Sequence, residues 1–167
     1  MIHRHLVGWL GLTSACFLFA CGARAQTVNQ PTLTLEGART ALRAAEEKAA
    51  TLHRPSCIAV VDAGGHLLLF ERMEGAWLAG DELSLGKART AALFGKPTAS
   101  LEDTINKGRT ALVTAGVIEM QGGVPIIVHD AVVGAVGVSG TEKDGDVPVA
   151  EAGAVAVDKS AGKTEEH

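Results

Sequence analysis

Two apolar runs around a two-residue polar break constrain this chain more than any other feature. Gly122-Gly123-Val124-Pro125-Ile126-Ile127-Val128 is followed, beyond His129-Asp130, by Val132-Val133-Gly134-Ala135-Val136-Gly137-Val138-Ser139-Gly140. Both runs are rich in β-branched residues, and such runs joined by a short polar break form a β-hairpin. Gly122-Gly123 before it and Ser139-Gly140 after it leave backbone amides with no bulky side chain over them. Glycine lets a chain turn freely and lets a ligand approach such amides closely.

A second hairpin lies earlier. Cys57 to Asp62 reads as a buried strand and His66 to Glu71 as its return, with Ala63-Gly64-Gly65 as a tight turn between them. Asp62 has a turn role there, its side chain accepting backbone amides. Around the hairpins stand helices. Thr34 caps one whose apolar positions Leu35, Ala38, Leu42, Ala45, Ala49 and Leu52 recur in steps of three and four, and His53-Arg54-Pro55 ends it. Asp81 caps a second that runs to Phe94 with Leu85, Ala88 and Ala92 on one side, stopped by Gly95-Lys96-Pro97. Ser100 with Asp103 opens a short third helix, and Asp146 begins the last, with Pro148 in its first turn. Arg109 to Glu119 fits a short strand or a helical turn equally well. Hairpins demand antiparallel pairing, so the order predicts an α+β fold: one domain with a mostly antiparallel sheet flanked by helices.

The first 25 residues read as a signal peptide. Arg4 precedes an apolar stretch from Leu6 to Ala20, and Ala23-Arg24-Ala25 has the small-x-small form of a cleavage site. The stretch is too short for a permanent membrane span. The predicted layout is a leader over 1–25, a polar lead over 26–32, the domain over 33–160 and a flexible tail over 161–167. A lipoprotein anchored through Cys21 is the alternative, although Phe19 is bulky for that motif. Export to the periplasm or medium follows from either. Cleavage removes Arg4 and Arg24 and no acid, moving the net charge from −4 to −6, which disfavours nucleic acid as a partner. Only Cys57 then remains, so no internal disulfide forms, and its apolar setting predicts a buried, inert thiol. The mature part has no tyrosine and only Phe70, Trp77 and Phe94 as large aromatics. Small side chains bury little area each, so a homo-oligomer is expected.

Five blocks together resemble the GlcG/HbpS-like family: Val60-Val61-Asp62-Ala63-Gly64-Gly65-His66, Phe70-Glu71-Arg72-Met73-Glu74-Gly75-Ala76, Lys87-Ala88-Arg89-Thr90-Ala91, Gly122-Gly123-Val124-Pro125-Ile126, and Val133 to Gly140. The resemblance spans about Leu33 to Asp158, in order. It implies a sheet flanked by helices, a homo-oligomer, and a site for haem or another small molecule. The family includes extracellular haem-binding proteins and the C-terminal domain of certain cobalamin adenosyltransferases, and its members differ in activity.

Haem iron takes axial ligands from His, Met, Cys or Tyr. The mature chain offers His53, His66, His129, His167, Met73, Met120 and Cys57. His66, just after a glycine turn, is the best placed to project into a pocket. Absence of Cys-x-x-Cys-His excludes covalent c-type haem. Arg72 and Lys87 are candidates for a carboxylate such as a propionate, with Arg89 behind them, because guanidinium grips carboxylates bidentately and lysine acts as a point charge. Lys87 and Arg89 equally suit a solvated helix face. No clustered His and carboxylates mark another metal site. Gly137-Val138-Ser139-Gly140-Thr141 lacks the second glycine of a nucleophile elbow, so Ser139 and the neighbouring glycines are read as packing or ligand-facing groups. The candidate ligand-binding residues are therefore His66, Arg72, Lys87, Gly122, Gly123 and Ser139. Three functions fit: an exported binder of haem or a related tetrapyrrole; an enzyme acting on a small organic acid or aromatic catabolite, with Lys87, Arg72 and the Gly122-Gly123 amides holding the anion and His66 as acid/base; or an accessory subunit without catalytic activity.

Overall fold

In the computed structural model, which describes residues 28–141 and 143–164, Thr34 caps the first helix through its Oγ1, which accepts the Gly37 N–H at 3.1 Å. The helix, α1 (Leu35–Thr51), turns Ala38, Ala41, Ala45 and Ala49 fully inward. Leu35 stays exposed, against expectation, because Leu33 takes the core position. Leu33 is fastened there by its N–H to the Val133 carbonyl at 2.8 Å. Strand β1 (Ser56–Asp62) and β2 (Leu67–Arg72) form the first hairpin. Next come α2 (Gly80–Phe94), α3 (Thr98–Asn106) and a 3-10 turn over Thr110–Ala115, which resolves the ambiguous stretch as helical turn. The second hairpin is β3 (Gly123–Val128) and β4 (Ala131–Gly140), and α4 (Asp146–Thr164) closes the chain.

At the hairpin break, His129 and Asp130 both adopt positive φ, 48° and 62°. A two-residue turn with both centres in that region matches the twist of its strands, and His and Asp tolerate it better than most residues. The sheet order is β2-β1-β4-β3, antiparallel throughout. Two helix caps differ from expectation. Ser100 lies inside α3 and its hydroxyl bonds the Pro97 carbonyl. Asp81 provides no cap for α2, whose first turn has no side-chain cap bond, because its carboxylate is drawn to other partners described below. Helix α4 continues to Thr164, further than the tail expected from 161. The leader and its cleavage site lie outside the described residues. No helix among the described residues is long and apolar enough to cross a membrane.

Alternation along the strands sorts the core into two layers. Ile58, Val60, Val136, Val138 and Ile126 face α1 and α4. Ala59, Val61 and Ala135 face α2, which meets them with Ala88, Ala91 and Ala92. The second layer is built almost wholly of alanine, so α2 can lie very close to the sheet. Gly137 makes that approach possible: a Cβ there would collide with the Ser84 carbonyl and the Ala88 amide.

Candidate functional site

The register of β1 places the sequence-derived candidates at opposite ends of the sheet. Cys57 pairs with Arg72 on one side and Ser139 on the other, whereas Asp62 pairs with Gly134. Arg72, Ser139 and the helix residue Lys87 therefore gather at the Ser56 end, and His66 stands at the Asp62 end. About 3.3 Å of rise per residue puts roughly 20 Å between the ends. No single ligand of modest size touches both groups.

At the Ser56 end Lys87 is buried, 2% exposed. Its Nζ donates to Asp146 Oδ2 at 2.7 Å and to the Val138 carbonyl at 3.0 Å. Asp146 Oδ1 accepts the Gly140 N–H at 2.8 Å, so one carboxylate joins α2, β4 and α4. Burial pushes the Asp146 carboxyl above its ordinary range, while the Lys87 ammonium, the Gly140 amide and Arg54 pull against it. Gly122 (φ 114°) backs the pair: a Cβ on it would lie 2.8 Å from Asp146 Cβ and 3.2 Å from Lys87 Nζ. Gly123 donates its N–H to Thr98 Oγ1 at 2.8 Å, and Gly122 accepts the Val138 N–H. The glycine pair thus serves packing and sheet closure, and its Gly123 amide is already taken. Neither glycine lines the adjoining cavity.

That cavity, of about 130 Å3, is lined by Trp77, Glu102 and Gln121, with Lys87, Ser139 and Asp146 among its polar walls. Ser139 is 1% exposed. Beside it, Arg72 pairs with Asp81 at 3.3 Å, and the Cys57 thiol donates to the other Asp81 oxygen at 3.3 Å. Burial first, then the Asp81 hydrogen bond and charge, raise the thiol to about 12, against a small opposing pull from Arg72. Unfolding then releases the thiol proton, so stability from this group declines as pH climbs from about 9 toward 12. Iodoacetamide at about pH 8 should leave Cys57 unmodified in the native protein and label it fully in guanidinium, read by intact mass. Rapid native labelling would contradict the buried thiol.

At the Asp62 end, Asp62 Oδ1 accepts the N–H groups of Gly64 and His66, each at 2.9 Å. Desolvation works upward on this carboxyl, but those amides and the imidazole outweigh it and hold the group below its usual value. His66 Nδ1 lies 3.3 Å from both Asp62 oxygens, with its side chain 83% exposed. In the tautomer that donates from Nδ1, Nε2 carries the lone pair outward, the form in which a carboxylate orients a metal-binding histidine. Arg89 Nε donates to the Gly65 carbonyl at 3.2 Å. The same Arg89 lines a groove of about 390 Å3 along α2, walled by Leu83, Leu93, Val117 and Ile118.

An antiparallel sheet with one close-packed helix on one face and two on the other, joined by a buried lysine–aspartate bridge and edged by a carboxylate-held histidine, defines a single-sheet α+β domain. The chain belongs to the family described as haem degrading protein HbpS-like, whose model matches residues 33–155. It is 42% identical to Protein GlcG of Escherichia coli strain K12 over 108 residues, which is 64% of this chain and 81% of that protein. It is similar in structure to the Klebsiella pneumoniae protein ORFY, with TM-score 0.76 and 29% identity over 80% of this chain and 96% of that one. A PduOC:heme complex matches at TM-score 0.67 and 28% identity, over 75% of this chain and 94% of the other.

Asp146, Asp81, Trp77, Glu102 and Gln121 were not candidates from the sequence. One signal pointed to Asp146. Lys87 shares the spacing of Ser84, Ala88 and Ala91, which places it on the buried stripe of α2 and calls for a buried carboxylate partner.

Proposed function

We propose that this protein binds haem or a related tetrapyrrole, with His66 as axial ligand and Arg89 placed to meet a propionate beside the α2 groove. The observation that carries the reading is the Asp62–His66 pair: an exposed imidazole oriented from behind by an ionised carboxylate. Apolar walls on α2 and the loop over Val117 and Ile118 suit the macrocycle, and the family description and the heme complex of PduOC support the same ligand. Lys87 and Arg72 are each paired with an aspartate, so the propionates turn to Arg89.

Titrating the purified protein with hemin should give a saturable Soret shift at stoichiometric haem. His66→Ala should alter the band position and weaken binding by about tenfold or more. A shift that the substitution leaves untouched removes His66 from the site, and absence of any saturable shift defeats the haem reading. The reading extends to an exported homo-oligomer. Cell fractionation should find the protein outside the cytoplasm with Gln26 at its N-terminus, and sedimentation should find it larger than a monomer. Exposed Leu93, Val113 and Leu78 on the α2 side fit such an assembly.

A further inference from the structure

We infer that Asp62 is a positioning residue that fits this site to ferric haem, in preference to ferrous haem and to a metal-free tetrapyrrole. The inference rests on His66 as the axial ligand and concerns what stands behind it. Asp62 is fastened on every side. Its Oδ1 accepts the N–H groups of Gly64 and His66, each at 2.9 Å. Its backbone N–H donates to the His66 carbonyl at 2.9 Å, and its own carbonyl accepts the Gly65 N–H at 3.0 Å. One turn therefore holds carboxylate and imidazole in a fixed relation. The Asp62 side chain is 25% exposed against 83% for His66, so the anion sits inward and the imidazole outward.

Gly64 admits the ring to that position. A Cβ on it would lie 2.9 Å from both Nδ1 and Cε1 of His66, closer than a side chain tolerates, so a side chain at residue 64 would push the imidazole off Asp62. With glycine there, Nδ1 rests 3.3 Å from each carboxylate oxygen. In the tautomer protonated at Nδ1, that bond raises the basicity of Nε2 and places a negative charge behind it. Iron(III) carries one positive charge more than iron(II), so the same anion stabilises the oxidised metal more. A porphyrin without a metal gains nothing from an axial lone pair. The charged walls of the adjoining groove, Glu82 and Arg89, offset one another, and the Asp62 charge acts through the imidazole.

The test uses the full chain. Affinities for hemin, dithionite-reduced haem and protoporphyrin IX are read from the Soret band, and the potential of the hemin-loaded protein by spectroelectrochemical titration. Hemin should bind about tenfold or more tightly than either of the others. Asp62→Asn keeps an Oδ1 for both turn amides and removes only the charge. Its potential should rise by about 59 mV, a tenfold loss of preference for iron(III) in a one-electron couple. Gly64→Ala keeps the charge and displaces the imidazole from it, so its potential should rise as well. Hemin held no tighter than reduced haem or protoporphyrin, or a potential unmoved in either variant, would overturn the inference. His66→Ala separates this from the ligand assignment. If that substitution alters the Soret band while Asp62→Asn leaves the potential unmoved, His66 keeps the iron and Asp62 loses its role; if the band is unchanged, both readings fall.

Discussion

Lys87→Met is expected to destabilise the protein by about 3–5 kcal/mol, the cost of stranding a buried charge. Asp146 is 3% exposed and would keep the Gly140 amide as its one short partner. Its carboxyl already stands above the ordinary range through burial, with the ammonium pulling it back, so removing Lys87 should drive it to hold a proton. Methionine fills the lysine stem's volume and isolates the charge effect from a cavity effect. The loss should appear as a lower urea midpoint with unchanged slope, or as a fall in Tm of roughly 10 °C. Combining it with Asp146→Asn should cost much less than the sum of the single substitutions, because the pair is coupled. Additive costs would mean that the two side chains do not stabilise one another.

Gly137→Ala should cost about 3 kcal/mol or more. The added methyl has no room, since the Ser84 carbonyl and the Ala88 amide and Cβ of α2 occupy its place. Backbone cannot swing aside as a flexible side chain does, so the whole helix must lift from the sheet, beyond ordinary overpacking. Lifting α2 also draws Lys87 from Asp146. Gly116→Ala separates this cause from backbone preference: Gly116 has φ 72° with nothing within 4 Å of a Cβ, and its substitution should cost only about 1 kcal/mol. Urea unfolding of both variants checks the contrast. Equal small losses would show that α2 does not ride so close.

Much of the architecture was legible because local rules act on neighbouring residues. Thr34 caps α1, the Asp62 side chain gathers the amides of its own turn, and both hairpins follow from β-branched runs around short breaks. Where the reading failed, distant groups outbid local ones. Asp81 looks like a cap and instead takes the Cys57 thiol and the Arg72 guanidinium. Lys87 suited a solvated face as well as a ligand site, and it forms a buried bridge from α2 to Asp146 of α4. Gly122 and Gly123 looked like open amides, yet Thr98 and the Lys87–Asp146 pair fill their surroundings.

The sequence by itself determined the α+β class, the hairpin order, the family blocks and the Asp62 turn, since each depends on residues a few positions apart. Tertiary structure decided which candidates share a site. Antiparallel pairing of β1 with β2 and β4 sets Arg72 and Ser139 beside Cys57 and sends His66 to the far end. Lys87 meets Asp146 across 59 positions of chain, a partnership that follows only once α2 has docked on the glycines of β4.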